Sequence, residues 1–430
     1  MKKSLNIVIA GLGTVGSSTI NLIERNQKLL LLRSGLKVNI VGIFAKKKNK
    51  KRNFNIHKYP WFNNPITMIK QKNVDVVIEL IGGDKGIARK ICFESLKNSK
   101  NLITANKVLI ASKGLELAKL AETNNVSIGY EASVAGGVPI ISTLKESLVS
   151  VKIRKIIGIL NGTCNYMLTD MMEQNNDFKT ALKNSQKLGY AEKFPNNDIN
   201  GLDTLHKISI LCIIAFGIKV DYKKIPFLGI QGITKEDILF VNKLGYKIKL
   251  LGVCYSKDNN LQLTVSPFLV SKKKELSSIN KNLNAIIIET TTGNKNILVG
   301  EGAGGDPTAV SVVSDIINLS NSKKQKYVFG LPYNKIKKME ISNKFDSKSL
   351  FYIRVLVVDK PGVIAAITSI LRDNKISIKS LFQKQVNTKY FNVVILTQNI
   401  DKKSILKASV KLNKCNFLKK PIKFLQVLHI

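Results

Sequence analysis

A chain of 430 residues is long enough for two or three domains, each with its own core. It has no apolar run of about eighteen residues, and its five cysteines (Cys92, Cys164, Cys212, Cys254, Cys415) form no C-x-x-C pair, which argues against a membrane partner, a disulfide framework and a thiolate zinc site. The net charge of +39 raises nucleic acid, but only seven of the 68 basic residues are arginine and the lysines are spread evenly among abundant Asn and Ile, so composition bias explains the charge and no nucleic-acid partner is expected.

After Lys2 and Lys3 the apolar run Leu5 to Ala10 meets Gly11 too soon for a signal peptide, and a cytoplasmic protein is expected. The first third alternates short β-rich runs (Leu5 to Ala10, Val38 to Phe44, Val74 to Leu80, Asn101 to Thr104, Val126 to Tyr130) with helical stretches (Gly16 to Leu31, Lys85 to Lys97, Gly114 to Thr123). That alternation predicts an α/β class with a parallel, Rossmann-type sheet over residues 1–135. From about residue 136 to 304 the pattern becomes α+β, with strands near Val151 to Leu160, Lys247 to Tyr255, Leu261 to Val270, Ala285 to Thr291 and Ile297 to Gly300. Residues 305–322 are expected to return to the first domain, and the lysine-rich stretch 323–348 reads as a linker. Residues 349–430 follow a β-α-β-β-α-β order, with a Phe351 to Val358 strand, an Asp359-Lys-Pro-Gly362 turn and a helix from Val363 to Arg372. Strands Ile376 to Leu381, Phe391 to Leu396 and Ile422 to Leu428 and a helix near Ser404 to Leu412 complete it.

The first strand runs into Gly11-Leu-Gly-Thr-Val-Gly16 and then a helix, which is the dinucleotide fingerprint G-x-G-x-x-G in its required context. Gly11 permits the tight turn, Gly13 lets the backbone approach a pyrophosphate, and Gly16 lets the helix pack on the strand. Thr14 and Val15 of the turn are further cofactor contacts, and the N-terminal N–H groups of the helix that follows face phosphate. No acid ends the second strand; Lys46-Lys-Lys-Asn-Lys-Lys-Arg52 follows instead. Two readings stand: Lys46 and its neighbours meet a 2′-phosphate, favouring NADP over NAD, or the run is a solvated loop of biased composition.

Further on, Gly189-Tyr-Ala-Glu192 precedes Asp198-Ile-Asn-Gly-Leu-Asp203-Thr-Leu-His-Lys207. Asp203 and Lys207 share a helix face, and the residues beyond them are almost wholly apolar, so the charged cluster points to a cleft. With Thr104-Ala-Asn-Lys107, Glu131-Ala-Ser-Val-Ala-Gly-Gly-Val-Pro139, Leu160-Asn-Gly-Thr-Cys-Asn165 and Gly302-Ala-Gly-Gly-Asp-Pro-Thr308, these motifs resemble homoserine dehydrogenase in the family's order. The resemblance implies reversible reduction of L-aspartate 4-semialdehyde to L-homoserine, on the route to threonine, methionine and isoleucine. It makes Lys207 the proton donor and Lys107 a second cation, with Asp203 holding Lys207 and Glu192, Asp198 and Asp203 binding substrate. It adds Lys107, Gly189 and Gly302 to the cofactor contacts, and gives Glu131, Val134, Gly136 and Val138 as holders of a monovalent cation such as Na⁺. From the residues alone, Gly-Gly-Val-Pro is equally a turn between domains. Two lysines in proximity are expected to lower each other's pKa, with Asp203 opposing. Phe194 before Pro195, and Asn200, depart from the family's usual residues.

The last 80 or so residues resemble an ACT domain, a ferredoxin-like amino-acid sensor, which implies threonine as allosteric ligand; an assembly module without a ligand is the alternative. The sheet-rich middle and this edge-pairing module lead us to expect a homodimer or homotetramer. Another semialdehyde or hydroxy-acid dehydrogenase shares the glycine turn but gives no reason for the Glu192, Asp203 and Lys207 spacing.

Overall fold

The computed structural model describes residues 3–257, 260–321, 327–339, 341–342 and 348–428. Its first sheet has five parallel strands, β1 (Lys3–Ala10), β2 (Leu36–Phe44), β3 (Val76–Glu79), β4 (Asn101–Thr104) and β5 (Ile128–Gly129), in the order β2-β1-β3-β4-β5. Residues of β1 are apolar on both faces because both are covered: Ile7 and Ile9 pack with Ile20 and Ile23 of helix Thr14–Ser34, while Val8 and Ala10 pack with Met68 and Ile91. The chain leaves β1 for β2 on one side and crosses to β3 on the other. Around that reversal the carboxyl ends of the strands open a crevice. Ala10, Glu79 and Thr104 end level across the sheet, so the loops that follow them meet there.

The helix expected at Gly114 to Thr123 starts earlier, at Lys107. Asn106 caps it, its side-chain oxygen accepting from the Leu109 N–H at 3.1 Å. The unbroken apolar run Val108 to Ala111 hid this first turn from a periodicity argument. Helix Gly305–Asn321 packs with the first sheet, with Val312, Val313 and Ile316 buried in the β1 core.

The second sheet takes in β6 (Ile153–Ile159), β8 (Tyr246–Lys257), β9 (Asn260–Ser271), β10 (Leu283–Thr290) and β11 (Lys295–Glu301). A short β7 (Ile218–Lys219) pairs instead with β12 (Lys337–Lys338), and β13 (Ile341–Ser342) pairs with β9. The C-terminal strands β14 (Phe351–Val358), β15 (Ile378–Asn387), β16 (Tyr390–Thr397) and β17 (Lys423–Val427) continue the same sheet, in the order β11-β10-β6-β8-β9-β17-β14-β16-β15. Within the module the order fourth, first, third, second, antiparallel, with helices Val363–Asp373 and Lys402–Leu412, is ferredoxin-like. The join is β17 beside β9, parallel, with Gln426 opposite Phe268 and Val427 opposite Leu269. A buried clamp reinforces it: Arg354 donates to Asp237 through Nε at 2.5 Å and Nη2 at 3.0 Å, and the Tyr352 hydroxyl donates to the same carboxylate at 2.9 Å.

The expected linker 323–348 needs correction. Residues 322–326, 340 and 343–347 lie outside the described residues, but the remainder is built into the fold. Val328 and Phe329 are buried, the Phe329 ring meets Tyr130 edge-on at 5.8 Å, and the Tyr130 hydroxyl donates to the Val328 carbonyl. Two adjacent apolar residues in a lysine-rich run are too few to give a periodic signal.

Candidate active site

The glycine turn lies at the carboxyl end of β1. Gly11 adopts φ 106°, which favours glycine, and its N–H donates to the Phe44 carbonyl at 2.9 Å. A Cβ at Gly16 would run into the Gly11 carbonyl oxygen, whereas a Cβ at Gly13 would meet nothing, so the backbone there is open to a ligand. Thr14 is the first residue of the helix, and Val15 packs against the β1 core. Glu79, fully buried at the end of β3, shapes the facing loop: Oε1 accepts from the N–H groups of Ile81 at 2.7 Å and Gly82 at 2.8 Å, and Oε2 accepts from Thr104 Oγ1 at 2.7 Å. Asn106 ties the same loop through Gly83 O at 2.6 Å. Lys46 is exposed, and the lysine run is organised by Arg52, which donates to the carbonyls of Lys47, Lys48 and Lys50 and reaches Leu12 O of the glycine turn at 3.4 Å.

Helix Leu202–Phe216 carries Asp203 and Lys207 inward, and Lys107 comes from the start of its helix after β4. The three meet: Asp203 Oδ1 is 2.6 Å from Lys107 Nζ, and Asp203 Oδ2 is 2.9 Å from Lys207 Nζ. Asp203 is only 4 % exposed; burial opposes its ionisation, but the two ammonium groups outweigh that and hold its carboxyl far below the usual range. Lys207 is pushed down, by burial first, while Asp203 opposes and Lys107 assists. Lys107 goes the other way. The Asp203 charge raises it more than burial lowers it, so the expectation that both lysines are depressed is corrected for Lys107, whose side chain is 38 % exposed and also lies in the fields of Asp198 and Glu192. Glu192 itself is exposed, and Asp198 is raised by burial and by Asp203.

Sequence reasoning missed Asn161 as a site residue. Its Nδ2 lies 2.8 Å from Asp198 Oδ1 and 2.9 Å from Asp203 Oδ2, while its Oδ1 caps helix Gly162–Glu173 by accepting from Cys164 N. The preceding carbonyl, Leu160 O, accepts from Lys207 Nζ at 2.7 Å. An Asn before Gly-Thr at a helix start was the available signal. Asn200, one of the departures, accepts from Leu202 N at 2.9 Å and so braces the Asp203 helix, while Phe194 is 76 % exposed.

Glu131 accepts from Ile141 N at 2.7 Å and Ser142 N at 2.8 Å, and its own N–H donates to Asp315. Gly136 O accepts from Ser311, and Val138 O from Ile140 N at 2.8 Å. Gly302 lies against this segment, under which Gly137 N donates to Glu301 O at 2.9 Å. Behind Gly302 sits Asn284, fully buried, with neither amide atom partnered among the described residues. Gly189 adopts φ 76°, and its neighbour Tyr190 accepts from Thr163 through the main-chain carbonyl.

Comparison with known proteins gives the family. The family model described as the homoserine dehydrogenase NAD-binding domain matches residues 11–131, that of homoserine dehydrogenase residues 139–317, and that of the ACT domain residues 351–412. The homoserine dehydrogenase of Neisseria gonorrhoeae is 34% identical over 99% of both chains. The chain belongs to the homoserine dehydrogenase family. The Helicobacter pylori homoserine dehydrogenase is 37% identical over 95% of each chain. A crystal structure of the Thiobacillus denitrificans homoserine dehydrogenase superposes with a TM-score of 0.90 at 31% identity, over 99% of this chain and 98% of that one. A hyperthermophilic archaeal homoserine dehydrogenase in complex with NADPH matches 74% of this chain and 98% of its own, with a TM-score of 0.63 at 25% identity. The protein is a homoserine dehydrogenase with an NAD(P)-binding domain and a C-terminal ACT domain. Among the described residues no helix is long and apolar enough to cross a membrane.

Proposed function

We propose that Lys207 is the proton donor of the homoserine dehydrogenase reaction and that Asp203 sets its charge state; the carrying observation is the carboxylate seated between two ammonium groups. The residues fit a dinucleotide: Gly11, Gly13 and Gly16 leave the backbone open at a helix N-terminus, and Thr14, Val15, Lys107, Gly189 and Gly302 complete the cofactor set. Bound NAD(P)H supplies the hydride. As the aldehyde oxygen gains charge, Lys207 gives it a proton and Lys107 stabilises it electrostatically. Depression of the Lys207 pKa by burial makes it a better acid, and Asp203 keeps it protonated. Glu192 and Asp198 meet the substrate's ammonium group.

Three finer readings follow. NADP is preferred over NAD, supported by the absence of an acid after β2 and by Arg52 gathering the Lys46 loop beside the glycine turn. Glu131, Val134, Gly136 and Val138 hold a monovalent cation: the donors are all oxygens, and Glu131, Gly136 and Val138 each keep a lone pair beyond the bonds they accept. Threonine regulates through the ACT domain, in a homodimer or homotetramer. Homoserine-dependent reduction of NADP and NAD by the purified chain tests the core assignment. No turnover with either dinucleotide sinks it, a lower KM for NAD sinks the preference, and unchanged activity at saturating threonine sinks the regulation.

A further inference from the structure

Where the ACT module joins the middle region, a cavity of about 470 Å³ opens, a size typical of small-molecule sites. Its lining includes Phe227 and Leu228, Phe268 of β9, Phe424 of β17 and the helix residues Lys402 and Leu406. Rings and aliphatic carbons dominate, but the charge on the rim is one-sided. The half-buried Lys402 has no carboxylate acting on it among the described residues, and burial pushes its pKa down. Its neighbour Asp401 is occupied in capping Lys402–Leu412, accepting from Ser404 N at 2.8 Å and Ser404 Oγ at 2.9 Å. Lys423 donates to the Gly232 carbonyl, and burial lowers it too, with Asp237 opposing. Asp237 is itself taken up by Arg354 and Tyr352. Such a cavity lacks one negative charge attached to an apolar body. A phosphate would call for several donors, and among the described residues that line the cavity Lys402 alone brings an ammonium without a bonded partner.

The cavity wall touches the active site's support. A Cβ on Gly229 would strike the Ile199 carbonyl and the Asn200 backbone, Ile230 N donates to Ile199 O at 2.9 Å, and Leu228 N donates to Val265 O at 2.9 Å. Ile199, Asn200 and Gly201 are the turn between Asp198 and Asp203. We propose that the cavity is an effector site for a small monocarboxylate with an apolar body, and that its occupancy shifts Asp198 and Asp203 through the backbone contact of Leu228, Gly229 and Ile230 with that turn. This goes beyond regulation by threonine, because it assigns a place and a chemistry that do not depend on which amino acid acts.

The test is calorimetric titration and initial-rate measurement on the full chain with isovalerate, its neutral analogue isovaleramide, L-isoleucine and L-threonine. At least one carboxylate should bind and change KM or kcat, and isovaleramide should not bind. Lys402→Gln should weaken binding by ~10-fold or more, the loss expected for a hydrogen bond to a charged group, and Leu406→Trp should fill the cavity and abolish it. Failure of every carboxylate to bind, equal binding of isovaleramide, or binding that survives both substitutions overturns the site, and binding with unaltered rates overturns the coupling. Threonine inhibition that persists in Lys402→Gln while every carboxylate fails to bind the cavity leaves threonine regulation standing and removes this site. Isovalerate binding without any response to threonine does the reverse.

Discussion

Replacing Asp203 by Asn removes one negative charge while nearly conserving volume, and the structure indicates where the cost falls. Lys107 is 38 % exposed on its side chain and has Glu192 and Asp198 nearby, so it can turn to water or to another carboxylate. Lys207, at 9 % side-chain exposure, cannot; among the described residues it keeps the Leu160 carbonyl and the field of Asp198. One buried ammonium loses its paired carboxylate, at a cost of about 3–5 kcal/mol of stability, and the melting temperature of the full chain should fall by roughly 3–6 °C. Without the Asp203 field the Lys207 pKa falls further. Because Lys207 must be protonated to reduce the aldehyde, activity in that direction should be lost at a lower pH as pH rises. Differential scanning calorimetry and a pH profile of kcat for semialdehyde reduction read the two effects. A variant with wild-type melting temperature and an unmoved alkaline limb would refute the bridging role.

Lys207→Ala should lower kcat by ~10²–10⁴ with modest change in KM, the range for a lost general acid; near-normal turnover removes Lys207 from that role. Gly16→Val should abolish NADPH binding in a fluorescence titration, since the new side chain meets the Gly11 carbonyl, and retained affinity would contradict the turn geometry. Lys249 is buried, held by Asn165 Oδ1 at 2.9 Å, and its pKa is pushed down to about 7, chiefly by burial. Its folded value lies below the unfolded one of about 10.4, so the unfolded chain binds the extra proton between them and stability should rise with pH across that window. In Lys249→Met the slope of denaturation free energy against pH should flatten there; an unchanged slope excludes Lys249 as its source.

The parallel sheet was legible because strands buried on both faces, such as β1, read as apolar runs on both faces, here ending at a glycine turn, and Asn101–Thr104 was located to the residue. Asp203 and Lys207 were legible as a pair because helical spacing alone puts them together. Lys107 reaches them from another domain, so its separation from Asp203, and the sign of its pKa shift, depended on a tertiary distance. Asn161 and the Leu160 carbonyl escaped for a different reason: a capping amide and a main-chain oxygen carry no distinctive residue signature. The burial of Val328 and Phe329 was equally hidden, since it depends on Tyr130, far away in sequence.

Because β9 and β17 share hydrogen bonds, the C-terminal module cannot be treated as a detachable accessory. A gene shortened after residue 348 would encode a catalytic core whose β9 edge is largely bare. Such an edge is a template for self-association, and Asp237 would be left buried beneath it without Arg354. Insolubility of a truncated form would therefore say nothing about regulation. Separating catalysis from control in this enzyme calls for point substitutions that leave the seam closed.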